Sequence, residues 1–486
     1  MNSYIQAPDI HAAAVKNPKM LGGPFMDYDG NCVEEVKKLK AETIEKQQHM
    51  IDFSEAVKAL SKMLMAEGRG FSLEPLYDKV PEILKGYVEL VYDVNNQPSF
   101  RFFEALLYHS PYYNEASQSM GLYQIEEDER PFVLSTPRLN NDSVLHFDMP
   151  FKDERIDDLF RMQRTPQTYA SIRDKFNLSP EQEEKFRKLF TTKAPQPYSK
   201  YEEEGIRTRY FGHACILVET KDVSILADPV ISYGYDSEIS RLTYTDLPDV
   251  IDYVVITHNH QDHILLETML QLRHKIKHIV VPRNGTGNLQ DPNLKLMFNQ
   301  LGFDNVIELD EMETIKMPGC QITGLPFLGE HSDLDIRTKL CHHVKLDNLS
   351  ILFAADSCNI EPKLYEHIHR IIGNIDVVFL GMECDGAPLS WLYGPLMTDP
   401  LPRAQDNSRR LAGCNYERGM DLVNLFNPKE VFIYAMGQEP WLNYIMAIKY
   451  TEESNPIIAS NRLLEECNER GIKGERLFGE KELQYV

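Results

Sequence analysis

The stretch Val254–Glu267, VVITHNHQDHILLE, places three histidines (His258, His260, His263) and Asp262 within six residues. Its first half, DYVVIT from Asp252, reads as a buried strand because it is apolar and β-branched. A helix pattern begins at once after His263. Side chains at the end of a strand sit on a rigid edge. His258 and His260 point the same way if the two-residue alternation of a strand persists. Asp262 and His263 then turn toward a neighbouring point. That arrangement suits two adjacent metal ions better than one. The bland alternative is a polar turn of solvated histidines, and the density of ligand-type residues at HxHxDH spacing disfavours it.

The chain around this stretch has 486 residues, enough for two or three domains. Hydrophobic residues make up 42%, so a large core can form. No apolar run approaches the roughly 18 residues of a membrane span. The opening MNSYIQAPDIHAAAVKNPKM lacks a basic segment followed by an apolar one, so no secretion signal is read. A formal net charge of −23 argues against general nucleic-acid binding, which needs a basic face. The eight cysteines form no CxxC pair, which leaves reduced thiols in a cytoplasmic protein as the expectation.

Texture divides the chain in two. Residues 1–195 read as a mainly α-helical N-terminal domain: 31–50, 53–68, 76–94 and 178–190 carry helix-period apolar positions, and PFVLSTPRL (131–139) reads as one short strand. The turn-rich, charged segment TTKAPQPYSKYEEEG marks the boundary. In 196–486, short apolar runs (among them VSILADP, HIVVP, SILFAAD, DVVFLG and EVFIYAM) alternate with helix patterns, as an α/β sandwich requires.

With these segments in order, the HxHxDH motif resembles the metallo-β-lactamase superfamily over roughly residues 205–440. The resemblance implies an αββα sandwich behind the helical N-terminal domain. YFGHACILVET, then ILADP with Asp228, then THNHQDH is similar to a branch that contains hydrolases, so the fold alone does not settle the function. A dinuclear hydrolase of this superfamily adds a third histidine, a bridging aspartate and a last histidine near the C terminus. The bridging position falls on Asp356, ending SILFAAD. The third ligand falls in LGEHSDLD, which offers Glu330 and His331. The last histidine is missing: His369 is the final histidine of the chain, and the expected position reads IYAMGQEPWL. His258, His260, His263, Asp262, Glu330 and Asp356 would give three nitrogens and three carboxylates. Zinc hydrolases lean on nitrogen ligands, whereas a carboxylate-rich pair suits iron.

That departure resembles a smaller family, the metallo-β-lactamase-fold diiron β-hydroxylases of chloramphenicol and other nonribosomal peptide biosynthesis. Its motif is HxHxDH, then Glu in a GEHSDL-like loop, then Asp. The spacings here are 67 residues from His263 to Glu330 and 26 from Glu330 to Asp356. The resemblance implies a diiron monooxygenase. His258, His260 and Glu330 would hold one iron, Asp262 and His263 the other, with Asp356 shared; Glu330 and Asp356 are also the catalytic candidates. It implies O₂ as co-substrate, electrons from an unspecified donor and an aminoacyl group tethered to a carrier protein, hydroxylated at its β-carbon. A homodimer is expected, with the N-terminal domain serving dimerisation and the substrate entrance; neither nucleic acid nor membrane is expected as a partner. The alternative is a dinuclear zinc or manganese hydrolase of a phosphoester or lactone, which His331 in place of Glu330 would favour.

Asp228 is expected to brace a ligand histidine through its ring N–H. His213 reads as a structural neighbour of the site, and His342 and His343 as core or strand histidines. Glu383 and Asp385 are read as pocket wall. Arg403, Arg409 and Arg410, in an otherwise acidic chain, are a candidate patch for a phosphopantetheine phosphate.

Overall fold

The apolar runs of the second half become two mixed sheets packed face to face, in a computed structural model that describes residues 1–15, 31–128, 130, 138–446 and 448–486. The first sheet runs in the order Val306–Leu309, Ile276–Pro282, Ile251–Val255, Ser224–Ala227, Ile216–Glu219, Ile206–Tyr210 and Lys481–Tyr485. The second runs Thr314–Met317, Cys320–Leu325, Cys341–Leu346, Leu349–Phe353, Val377–Gly381, Glu430–Tyr434 and Lys473–Arg476. Each sheet is antiparallel at one end and parallel at the other. The parallel strands need crossovers, and the helices supply them.

Near-continuous apolar strands belong between two covered faces. Ile216, Val255 and Val280 of one sheet meet Ile322, Val344, Phe353 and Phe379 of the other in a single buried cluster. Helices Leu266–Leu272 and Leu294–Gln300 cover the outer face of the first sheet. Pro362–Ile372, Tyr416–Phe426 and Asn455–Glu469 cover that of the second. The result is the expected αββα sandwich. No helix among the described residues is long and apolar enough to cross a membrane.

Helices dominate the N-terminal part, led by Val33–Lys46 and Gln48–Glu67. One reading there fails. The helix expected over 76–94 is two short 3₁₀ turns, Glu74–Lys79 and Glu82–Leu84, followed by a strand, Val88–Tyr92, paired with Pro98–Phe102. Pro81 lacks the N–H an α-helix needs, Gly86 takes a positive φ of 80°, and VELVY carries the branched and aromatic side chains that prefer strands. A second hairpin, Ser119–Leu122 with Leu145–Asp148, was not read from the sequence at all. Most of PFVLSTPRL lies outside the described residues.

Buried charge ties the two parts together. The Arg273 guanidinium, 7% exposed, donates to the carbonyls of Phe151 and Leu301 at 2.6 Å each and pairs with Asp157 at 3.0 Å. Arg130 forks onto both oxygens of Glu267 at 3.2 and 3.0 Å and lies over the Tyr444 ring. Phe102 N–H donates to Gly287 O at 2.8 Å, so the N-terminal hairpin ends against the loop after the strand Ile276–Pro282.

That approach is so close that a Cβ on Gly287, where φ is +70°, would sit 2.1 Å from Phe102 O. Gly287→Ala should therefore cost about 1–3 kcal/mol from backbone strain alone, with the clash added. Gly285, where a Cβ meets nothing within 4 Å, is the control. Calorimetry should show Gly287→Ala melting clearly below wild type, with Gly285→Ala within about 0.5 kcal/mol of it.

Candidate metal centre

The candidate ligands and Asp228 lie on loops at one edge of the sandwich, beyond strand ends. Asp228 follows Ser224–Ala227, His258 follows Ile251–Val255, Glu330 follows Cys320–Leu325 and Asp356 follows Leu349–Phe353. Several of these loops are strained. Among the described non-glycine residues with positive φ are His213 (50°), Asp228 (37°), Glu330 (64°), Ser332 (54°), Asp333 (59°), Ala355 (47°) and Ala435 (53°), all in this edge. Such angles persist only where surrounding structure enforces them, and they concentrate at sites of function.

The structure brings the six predicted residues together. One donor atom from each of His258, His260, Glu330 and His331 lies within 4.8 Å of the others. The same holds for His258, His263 and Asp356, and for His213, Asp262 and His263. Asp356 Oδ2 is 3.0 Å from His263 Nε2 and 3.8 Å from His258 Nε2, between the two groups. Glu330 Oε1 is 3.0 Å from His260 Nδ1. Gly381 has to be glycine here, since a Cβ would meet Asp356 Oδ1 at 2.7 Å and Ala355 O at 2.6 Å.

Hydrogen bonds behind the site decide which nitrogens face inward. Asp228 is fully buried. Its carboxylate accepts Thr257 N–H at 2.8 Å, Thr257 Oγ1–H at 2.6 Å and His263 Nδ1–H at 2.8 Å. A hydroxyl has one proton. With that proton on Asp228, Thr257 Oγ1 can only accept from His258 Nδ1–H, at 3.0 Å. Both rings thus carry a proton on Nδ1 and turn Nε2 toward Asp356. His260 Nε2 meets Tyr393 OH at 3.1 Å, leaving Nδ1 on the Glu330 side. The expected brace at Asp228 is present and reaches two histidines.

His213 is fixed in the opposite sense. Gly437 N–H donates to its Nδ1 at 3.2 Å, so the ring proton sits on Nε2 and points to Asp262 Oδ2 at 3.1 Å. A protonated Nε2 has no lone pair for a metal, so His213 orients Asp262. The donor, Gly437, belongs to AMGQEPWL, where the hydrolases carry their last histidine.

The donor set also fits a metal in its unfinished valences. His258 Nε2, Glu330 Oε2, His331 Nε2 and Asp356 Oδ1 are buried without a hydrogen-bond partner among the described residues. Glu330 Oε2 is 3.0 Å from His331 Nδ1, yet off the line of a hydrogen bond. Burial penalises charge on all of these groups, and the neighbours answer it. Asp356, Asp262 and Asp228 outweigh burial and hold His263 well above its ordinary pKa. His260 and His331 hold Glu330 below the carboxylate range, and His263 and His213 do so for Asp262. Burial and the other imidazoles keep His258 neutral. A cluster that needs protons to balance its carboxylates is one in which metal cations can replace them.

A cavity of about 160 Å³ opens on His260, Asp262, Glu330 and Asp356. Its remaining lining includes Glu383, Asp385, Trp391, Leu411 and Ile445. Larger grooves of about 850 and 560 Å³ border the turn at 220–222, on the opposite edge, and contain none of the candidate ligands. No described residue of 1–195 lines the 160 Å³ cavity. Arg409 and Arg410 do not form a free basic patch. Arg409 Nε donates to Ser332 O at 2.8 Å and Arg410 Nε to Asp385 O at 2.5 Å, so they hold the pocket loops from behind, and only Arg403 is exposed. His342 Nε2 donates to Ile256 O at 2.8 Å, the core role expected of it. Tyr393 escaped the sequence reading, because nothing links it to His260 at a separation of 133 residues.

If Asp228 sets the inward nitrogens, Asp228→Asn should weaken metal binding about 10–100-fold while the protein stays folded. Competition against a chromophoric chelator measures this, with circular dichroism as the fold control.

Comparison with known proteins agrees with the site. Residues 1–195 match the family model described as the diiron non-heme beta-hydroxylase N-terminal domain, and residues 224–387 match a beta-lactamase superfamily domain. The 4-amino-L-phenylalanyl-[CmlP-peptidyl-carrier-protein] 3-hydroxylase of Streptomyces venezuelae is 38% identical, over 98% of this chain and 91% of its own. The crystal structure of CmlA, a diiron beta-hydroxylase from that organism, superposes with a TM-score of 0.90 at 36% identity, covering 99% of this chain and 91% of the other. A substituted form of the same hydroxylase gives 0.89 over 99% and 92%. This chain belongs to the diiron non-haem β-hydroxylase family.

Proposed function

We propose that the enzyme hydroxylates the β-carbon of an aminoacyl group tethered to a carrier protein, at an iron pair held by His258, His260, Asp262, His263, Glu330 and Asp356. The observation that carries this reading is the donor set itself. Three imidazoles and three carboxylates come together, four of the six lining one cavity, and the sequence has no histidine after His369. Glu330 is preferred to His331 as the ligand because its strained backbone presents the carboxylate to His260.

An iron pair, when bound, supplies the activation of O₂. Overall the reaction consumes the substrate C–H, O₂, two electrons and two protons and yields the alcohol and water. The protein's own part is orientation and exclusion. Asp228 and Thr257 keep His258 and His263 in one tautomer, Tyr393 steadies His260, and His213 aims Asp262. The apolar wall at Trp391, Leu411 and Ile445 limits water beside the reacting carbon. Tethering lets the carrier supply recognition area and raises the local concentration of the aminoacyl group. The relative from Streptomyces venezuelae has a name that places its own substrate on a peptidyl carrier protein.

The remaining parts of the reading concern the whole chain. The boundary is set near residue 195, with a cytoplasmic homodimer formed through the N-terminal part. Met65 and Phe71 are exposed there, which supports an apolar contact. The electron donor is external.

Wild-type protein should contain iron and, after chemical reduction, place ¹⁸O from ¹⁸O₂ on the β-carbon of a carrier-bound amino acid faster than on the free one. Glu330→Ala should lose this activity by at least about 10²-fold, the scale of removing one key electrostatic group. His331→Ala should keep its iron. Full activity with zinc, or hydrolysis of a phosphoester or lactone without label, would overturn the reading.

A further inference from the structure

We propose that Glu383 is a specificity-determining residue that holds the protonated α-amino group of the substrate, so that the site takes aminoacyl groups with a free amine and rejects acyl groups without one. This rests on the carrier-bound aminoacyl reading above. Glu383 lies two residues beyond the strand Val377–Gly381, and its backbone is pinned by Gly413 N–H, which donates to its carbonyl at 3.0 Å. The side chain lines the same 160 Å³ cavity as the candidate ligands. It belongs to none of the close ligand groups.

What distinguishes Glu383 is that its carboxylate has no partner among the described residues. Asp385, next but one along the loop, takes the Asn455 amide at 3.0 Å. Glu383 makes no side-chain hydrogen bond or ion pair among the described residues. Lys449, the cation at the cavity mouth, is exposed and does not pair with it. A carboxylate on a cavity wall without a counter-charge favours a ligand that brings one. A free α-amine, with an ordinary pKa of about 7.7–8.0, is mostly cationic at neutral pH and can be that partner.

Size and connectivity agree. An apolar cavity near 150 Å³ holds one benzene, so this one admits a single aryl or comparable side chain. The α-nitrogen is two bonds from the β-carbon. A group that holds the amine while the β-carbon faces the metals must therefore line the same cavity as the ligands, and Glu383 does. Burial, followed by Asp356, Asp262, Glu330 and Asp385, raises the Glu383 carboxyl well above its ordinary range, and an incoming ammonium favours its ionised form.

The test uses iron-loaded full-length protein with a carrier bearing L-phenylalanyl- or 3-phenylpropionyl-phosphopantetheine, which differ only in the amine. Fluorescence anisotropy reads binding and ¹⁸O incorporation reads turnover. Wild type should bind the phenylalanyl carrier at least about tenfold more tightly, as a charge-assisted hydrogen bond provides. Glu383→Gln, which keeps the shape, should bring the two affinities within about twofold, with iron content and optical spectrum unchanged. Glu383→Asp should retain part of the preference. An unchanged ratio in Glu383→Gln overturns the assignment. So does equal loss of turnover on both carriers with the binding ratio intact, which would make Glu383 a proton-handling group. Binding is scored without turnover, so a failure of hydroxylation counts against the proposed function alone.

Discussion

One buried carboxylate organises the site. Asp228 has no exposure and accepts three hydrogen bonds, two from Thr257 and one from His263. The consequence is logical as well as energetic. Once the Thr257 hydroxyl proton belongs to Asp228, the ring proton of His258 must lie on Nδ1, and the Nε2 atoms of both histidines face the same point. A residue that reaches only one of these rings directly thereby sets two. The cost of burying its charge is met by polar hydrogens from Thr257 and His263.

A second fixed point works in the opposite direction. Gly437 donates a backbone N–H to His213, which removes the inward lone pair that ring would otherwise offer. The loop at Gly437 supplies a hydrogen-bond donor rather than an imidazole. The ring it meets becomes a donor to Asp262. The same scaffold edge therefore carries different chemistry through a change in which atom faces which nitrogen. The strain stored at His213, Glu330 and Ala435 shows how firmly the loops are held.

Legibility in the sequence followed distance along the chain. His258, His260, Asp262 and His263 could be read directly because they are local and end one apolar strand. Asp356 could be read because it ends another. Glu330 and His331 are adjacent, share a loop and both face the cluster, so spacing alone leaves them undivided, and the structure keeps both in one group. The bonding partners of Arg409 and Tyr393 lie 77 and 133 residues away, beyond any local pattern. Arg409 and Arg410 therefore read as part of a basic patch, whereas they hold the carbonyls of Ser332 and Asp385. In the N-terminal part, the segment 76–94 has an apolar period that a helix and a turn-plus-strand share. Pro81 and Gly86 were the deciding residues, and giving them more weight would have placed the strand Val88–Tyr92.

The charge of the molecule is then divided between two scales. The net −23 is spread over the whole surface, where charges interact weakly beyond about 8–10 Å at physiological salt. The site concentrates carboxylates in a volume from which water is largely displaced, where the same charges interact strongly. Asp262, Glu330 and Asp356 can share that volume only with cations among them. In the metal-free balance, protonated imidazole at His263 takes that part. An iron pair takes it more completely, since each ion brings more charge than a proton and releases the histidines to act as neutral ligands. Glu383 remains outside the close ligand groups, a carboxyl on the same cavity without a hydrogen-bond partner among the described residues. The group left open at the cavity wall is therefore a carboxyl, which a ligand arriving with a cation beside the carbon to be oxidised would hold in its ionised form.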